Sequence, residues 1–347
     1  MRVIVCLFIT AFCLESQQPQ QQVASQPNAT LPAQQQGPVI KTDVTEVIVP
    51  VTVTDEKGKF VSDLVQSDFQ IFDQGKLQSI QYFTRERAQP VVVGILVDLS
   101  NNSRTHWKNY QDAAIELTNT LLPGDKKYSG YLIGYGNEAE LMVNTTSDGE
   151  KIMEKLRKLK PGGGSALYDA IYLACTKRSL VAGEPVDPRR VVVVIGDGND
   201  NSSSKTLDQI IELAQRNLVT VYGISTSAYG FEATGDAALV RLAEETGGRV
   251  EYPLVNPYKD VSGYLSTPSD DGNYALSVGS GGYASAIATS IFKSVASVAG
   301  EVTLQYILRY IPDVTADSVR QYRKIEVKVA LANVKVRARR GYYPFTP

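Results

Sequence analysis

The sequence predicts an α/β fold: a doubly wound, mostly parallel sheet with helices on both faces, inserted in a small β-sandwich formed by N- and C-terminal strands. Three patterns carry that expectation. Val91-Val92-Val93-Gly94-Ile95-Leu96-Val97 and Val191-Val192-Val193-Val194-Ile195 are continuous apolar runs, as expected of strands buried on both faces. Strand-like and helix-like stretches alternate between Gln89 and Gly300, which implies parallel strands joined by covering helices. Alternating β segments flank this block on both sides. Each flank alone is too short for a stable core, so the two are expected to pair with one another.

In order along the chain, Val47 to Thr54 is β-branched and alternating, and Asp55-Glu56-Lys57-Gly58 supplies a turn. Short strands follow at Phe69 to Phe72 and Ile80 to Phe83. Within the middle block, helices are expected at His106 to Leu122, Gly149 to Leu159, Ala166 to Arg178, Leu207 to Asn217 and Ala237 to Thr246. The last of these stops at Gly247-Gly248. Strands are expected at Tyr128 to Tyr135, Leu141 to Asn144 and Val219 to Ile224. Residues 256–282, rich in Gly, Ser, Tyr, Pro and Asp, interrupt the rhythm and read as a surface loop insertion, with a small-residue helix from Tyr283 to Ala299. From Glu301 the β alternation returns. The Lys and Arg of Val334 to Arg340 fall mostly on every second position, which reads as a solvated strand face.

The N-terminus reads as an export signal. Val3 to Leu14 is a run of twelve uncharged residues behind Arg2, too short to span a bilayer and suited to a signal peptide. Cys13 leaves a lipid anchor as an alternative end. Gln17 to Pro38 holds nine Gln and almost no large apolar side chain, so it cannot offset its ordering entropy and reads as a spacer. The expected organisation is a signal peptide at 1–16, a flexible Gln/Pro-rich linker at 17–43, and sandwich segments at 44–88 and 301–347. The α/β domain then occupies 89–300. The expected location is secreted or in the cell envelope.

Composition narrows the chemistry. Among 347 residues there are 35 Lys+Arg against 37 Asp+Glu, a net charge of −2, which gives no bulk field for nucleic acid or an anionic membrane. The single His, His106, and three Cys disfavour His-based zinc sites, Ser-His-Asp triads and a disulfide scaffold. Cys175 reads as a core residue. Any metal is therefore expected to be held by oxygen.

In an open α/β sheet, ligands bind outside the carboxyl ends of the strands. Three polar clusters fall there: Asp98-Leu99-Ser100-Asn101-Asn102, Gly162-Gly163-Gly164-Ser165 and Asp197-Gly198-Asn199-Asp200. The Gly-rich cluster lacks a Gly-Lys-Ser/Thr ending and a G-x-G-x-x-G pattern, which argues against a nucleotide cradle. Carboxylates and hydroxyls from separate loops suit Mg²⁺, which takes about six oxygen ligands and keeps several waters. Vacant loops capped by Asp98 and Asp197 are the other reading of the same residues.

In their order and separation these clusters resemble the von Willebrand factor A (VWA) family over roughly Gln89 to Ala299. That family has a metal-ion-dependent adhesion site built from D-x-S-x-S, a loop Thr and a later Asp. The resemblance implies Asp98, Ser100, Asn102, Ser165 and Asp197 as ligands of Mg²⁺, or of Mn²⁺ or Ca²⁺. It also implies a partner protein whose acidic residue completes the coordination, with no catalysis. Asn102 stands where the family has Ser, and Ser165 where it has Thr. The flanks look like the VWA-related secreted proteins of Acidobacteria. A metal-free structural or assembly role in the envelope is the competing expectation. A Mg²⁺-dependent phosphohydrolase using Asp98 as nucleophile fits less well, because Ser100 occupies the position where such enzymes carry a second acid.

Overall fold

The computed structural model describes residues 46–85, 90–104, 107–125, 127–176, 188–227, 235–254, 270–313 and 321–344, with backbone only for 270–284. The expected signal peptide, the linker and His106 lie outside the described residues. All described residues belong to one unit, Asp43–Pro347.

The central sheet has six strands. In chain order these are β5 (Val91–Asp98), β6 (Tyr128–Tyr135), β7 (Ala139–Thr146), β8 (Arg189–Gly196), β9 (Val219–Ser225) and β10 (Val250–Glu251). Their spatial order is β10-β9-β8-β5-β6-β7, all parallel except β7, which runs antiparallel to β6. The chain moves from β5 outward to β6 and β7, then returns to lay β8 on the other side of β5. The strand order therefore reverses between β5 and β8.

Side-chain parity explains why both apolar runs are buried throughout. Val91, Val93, Ile95 and Val97 point into one hydrophobic cluster, and Val92 and Leu96 into the other. The first cluster is covered by helices α1 (Trp107–Leu121), α2 (Gly149–Lys158) and α6 (Asp270–Thr303). The second is covered by α3 (Leu167–Thr176), α4 (Leu207–Arg216) and α5 (Asp236–Thr246). Cys175 is buried in the second cluster. The expected helix stop is present: Gly247 takes φ +92°, and the Gly248 N–H bonds the Ala243 carbonyl at 2.8 Å.

The insertion at 256–282 needs correction. Residues 255–269 lie outside the described set, but from Asp270 the chain is α6, which runs unbroken to Thr303. No proline interrupts that stretch. Its C-terminal part is anchored by Ile287, Ile291, Val295, Val298 and Val302, a helical stripe sunk into the first cluster. The Gly and Ser content that suggested a loop lowers helix propensity without forbidding a docked helix.

Eight further strands come from the two flanks. One sheet has the order β13-β1-β11-β4, from β13 (Val334–Ala338), β1 (Val47–Asp55), β11 (Tyr306–Tyr310) and β4 (Ile80–Thr84). The other has the order β14-β12-β2-β3, from β14 (Gly341–Tyr342), β12 (Arg323–Val329), β2 (Phe69–Asp73) and β3 (Lys76–Gln78). Val49, Val51 and Val53 of β1 share one core with Phe69 and Ile71 of β2, Leu308 of β11 and Ile325 of β12, so the sheets form a sandwich. Both flanks are needed for it. Val49 pairs with Leu308, and Ile71 pairs with Val327.

Only Leu304 and Gln305 separate α6 from β11. Gln305 ties the layers together there. Its amide nitrogen donates to Thr52 Oγ1 at 3.1 Å and to the Tyr222 hydroxyl at 2.8 Å, and its oxygen accepts from Arg189 at 2.8 Å.

Candidate functional site

Asp98 is the last residue of β5, and Asp197 directly follows β8, so the point of strand reversal carries a carboxylate on each side. Both are buried, at 2% and 5% exposure. Asp98 Oδ1 accepts the Ser100 N–H at 2.7 Å, and its Oδ2 accepts the Ser100 hydroxyl at 3.1 Å. Asp197 Oδ1 accepts the Asn199 N–H at 3.0 Å. Its Oδ2 accepts the side-chain amides of Asn199 at 2.7 Å and Asn102 at 2.9 Å.

Ser165 is buried beside them. Its hydroxyl donates to the Asn199 carbonyl at 2.8 Å, and its N–H bonds Asn201 Oδ1 at 2.8 Å. The Gly-rich loop is stitched under the first cluster by Gly162 N–H to the Leu99 carbonyl at 2.6 Å and Asn101 N–H to the Gly163 carbonyl at 3.0 Å. Gly163 holds φ +105°, and a Cβ there would come within 2.9 Å of Asn137 Oδ1, so the turn requires glycine. The loop after β8 is held by two carboxylates. Asp200 accepts the Tyr168 N–H at 2.8 Å and the Ser203 hydroxyl at 2.6 Å, and Asp169 accepts the Ser204 N–H at 3.0 Å. The five residues singled out by the sequence thus fall in two adjacent hydrogen-bonded groups, Asp98 with Ser100, and Asp197 with Asn102 and, through Asn199, Ser165. The two carboxylates are close enough to repel one another.

One of them stands at the rim, although its amide reaches Asp197. Residues Asn101–Arg104 form a 3₁₀ turn in which Asn102 is exposed and Ser103 is buried. Among the described residues the Ser103 hydroxyl makes no well-formed hydrogen bond, and its closeness to Asp98 favours the ionised carboxylate. Ser103 is the residue that reading the D-x-S-x-S spacing passes over. Its only sequence signal is a hydroxyl one position late. The Tyr135 hydroxyl is also buried, without a partner among the described residues. Burial and then the fields of Asp98, Asp197 and Asp200 push that phenol well above its ordinary range.

Asp98 itself is pushed up to about 6, first by burial and then, against the lowering pull of the Ser100 N–H, by repulsion from Asp197. Among the described residues, no Lys or Arg pairs with either carboxylate. No group of three or more His, Cys, Asp or Glu side chains is placed to hold a metal among them. The donor set is two carboxylates, hydroxyls and amides, with the buried hydroxyls of Ser103 and Tyr135 alongside. An all-oxygen set of this kind fits a hard divalent cation.

The fold and site together define an open α/β sheet with a polar crevice at its topological switch point. Residues 93–199 match the family model of the von Willebrand factor type A domain, and the α/β layer is VWA-like. No curated protein matches the chain. Among solved structures, the chain is similar to an aerotolerance-related membrane protein from Bacteroides fragilis, with 18% identity over 50% of this chain and 97% of that one and a TM-score of 0.39. It is also similar to a von Willebrand factor type A protein from Catenulispora acidiphila, with 14% identity over 74% and 51% of the two chains and a TM-score of 0.40. A third is proximal thread matrix protein 1 from the mussel byssus, with a zinc-occupied metal-ion-dependent adhesion motif. It has 14% identity over 49% and 42% of the two chains and a TM-score of 0.38.

Proposed function

We propose that this chain is an exported protein-binding module of the adhesion type, akin to the VWA-related secreted proteins of Acidobacteria. In this reading Asp98, Ser100, Asn102, Ser165 and Asp197 hold a divalent cation, Mg²⁺ first, with Ser103 as a further hydroxyl. A bound cation would supply an electron-poor point to which a carboxylate of a partner protein is drawn. The chain's own residues orient the site. The Ser100 N–H fixes one oxygen of Asp98, and the Asn199 N–H fixes one of Asp197. The observation that carries the reading is the pair of buried carboxylates on neighbouring strand ends with no Lys or Arg between them among the described residues. Buried charges are rarely kept without a counter-charge. Binding rather than turnover is the role assigned to the site, because Ser100 occupies the position where a phosphohydrolase of this kind carries its second acid.

A second reading rests on the amides. Asn102 and Asn199 both donate to Asp197 Oδ2, which satisfies that oxygen without a cation and suits a structural protein of the envelope that has dispensed with metal. Titration calorimetry separates the two. Mg²⁺ or Mn²⁺ added to the chelator-treated protein should give saturable heat that Asp98→Ala abolishes. Absence of heat in the intact protein overturns the metal reading and leaves the second.

A further inference from the structure

The loops that follow β5, β6 and β8 meet at the Gly-rich loop, and each brings a hydrogen-bond donor to it. Asn137 stands in the turn between β6 and β7, and Asn201 in the loop after β8. The Gly164 N–H bonds Asn137 Oδ1 at 2.6 Å, and the Ser165 N–H bonds Asn201 Oδ1 at 2.8 Å. A backbone N–H can only donate, so each amide turns its oxygen to the loop and its NH₂ away from that bond. The two amides converge there: a Cβ on Gly164 would lie 2.9 Å from Asn201 Oδ1 and 3.1 Å from Asn137 Oδ1. Both residues are exposed.

Arg104, the last residue of the 3₁₀ turn after β5, lies against the same loop. A Cβ on Gly162 would be 3.3 Å from its Nη2. Arg104 is exposed and pairs with no carboxylate among the described residues. The amide nitrogens of Asn137 and Asn201 have no partner among them either. Gly162 and Gly164 are two residues apart, so their Cα atoms are separated by at most about 7 Å. Three donor groups from three loops thus flank one short stretch of backbone that leads directly into Ser165. Two of them are fixed by main-chain hydrogen bonds, so little rotamer freedom is lost when an acceptor arrives. A carboxylate is the acceptor best matched to a guanidinium fork with NH₂ donors beside it.

We infer that Arg104, Asn137 and Asn201 receive a second acidic side chain of the partner protein, beside the one drawn to the cation. The segment recognised is then an acidic stretch rather than a lone carboxylate. In an extended segment, residues two apart point the same way about 7 Å from one another, a spacing on the scale of the loop. The inference rests on the metal reading given above. Its three residues lie outside the five ligands, and they act on the choice of partner rather than on the cation.

Two fluorescently labelled pentapeptides test it, Gly-Asp-Gly-Asp-Gly and Gly-Asp-Gly-Asn-Gly, titrated by polarisation at matched ionic strength, in saturating Mg²⁺ and in chelator. In Mg²⁺ the diacidic peptide should bind roughly fivefold tighter or more. The ratio of the two affinities cancels any change in the cation's own affinity, because both peptides meet the same cation. Arg104→Gln, at an exposed position, should lower that ratio by roughly threefold. Asn137→Asp and Asn201→Asp keep the oxygen that holds the loop N–H and replace the outward donor by an acceptor. Each should bring the ratio to about one or below. A ratio near one in the unsubstituted protein, with both peptides still needing Mg²⁺, overturns the inference alone, and so does a ratio unmoved by all three substitutions. If neither peptide binds, or both bind equally well in chelator, the metal reading falls and the inference falls with it.

Discussion

Asp73 offers the sharpest test of how the sandwich is held together. It ends β2, is 1% exposed, and accepts three hydrogen bonds. Its Oδ2 accepts the hydroxyls of Tyr310 and Tyr342, each at 2.9 Å, and its Oδ1 accepts Arg323 Nε at 2.9 Å. Tyr310 belongs to the facing sheet, and Tyr342 and Arg323 to strands of the same sheet, so one carboxylate joins both layers. Asp73→Ala leaves two buried phenol donors unsatisfied and strands the Arg323 guanidinium. Removing one partner of a buried ion pair costs about 3–5 kcal/mol, and each orphaned donor about 1–3 kcal/mol within that sum. Asp73→Asn keeps an acceptor and loses only the charge, so roughly half the penalty is expected. Urea denaturation followed by circular dichroism measures both. In a thermal scan, each kcal/mol should move the midpoint by roughly 2–4 °C. A double substitution to apolar residues, Asp73→Leu with Arg323→Met, should recover only the part of the loss due to the stranded Arg323 charge, because the Tyr310 and Tyr342 hydroxyls stay without their acceptor. A change under about 1 kcal/mol for Asp73→Ala would refute the reasoning, since that is the scale of an ordinary surface substitution.

Other outcomes follow from the site. In chelator at pH 7, Asp98→Asn should stabilise the protein. A folded-state pKa raised from 3.8 to about 6 means the folded aspartate is penalised once ionised, by about 3 kcal/mol, less about 1 kcal/mol for a weakened Ser100 contact. That gain should be full above pH 6 and vanish below pH 3.8, as melting curves across the range will show. Tyr135→Phe removes a buried hydroxyl that has no partner among the described residues and should raise stability by roughly 1 kcal/mol in the same assay. Gly198→Ala should destabilise by about 2 kcal/mol or more, because φ is +76° and the new Cβ would meet the Gly235 carbonyl oxygen. Asn102→Ser should tighten Mg²⁺ binding in calorimetry if the exposed amide competes for Asp197. Unchanged affinity would assign the inner role to Ser103 instead.

The α/β layer was legible because its signals are strong. A run such as Val91 to Val97 has no polar face, so only a strand covered on both sides accommodates it. Asp98 and Asp197 were legible because each follows such a run directly. The orientation of Asn102 and Ser103 was not. A 3₁₀ turn rotates successive side chains by about a third of a circle, so a one-residue offset turns Ser103 toward Asp98 and Asn102 toward Asp197. The start of α6 was hidden by glycines, whose helix penalty is outweighed by docking of the helix's later residues. Arg339 looked like the other strand arginines. It is nonetheless 2% exposed, at a point where its main chain crosses Gly247 at the end of α5.

The way the sandwich is split along the chain also constrains its assembly. Ile307 of β11 pairs with Thr84 of β4, and the whole α/β layer lies in the chain between them. Closing a flexible loop of roughly 200 residues costs about 5 kcal/mol of chain entropy before any strand contact forms. A folded α/β layer removes that cost in advance, because its first strand and its last helix then deliver the two flanks to one another as preset ends. The sandwich is thereby a late product of folding, completed only after the C-terminal strands have been made. A lesion in the sheet that bears Asp98 and Asp197 would leave β1 to β4 as unpaired edges, exposed to association with other chains.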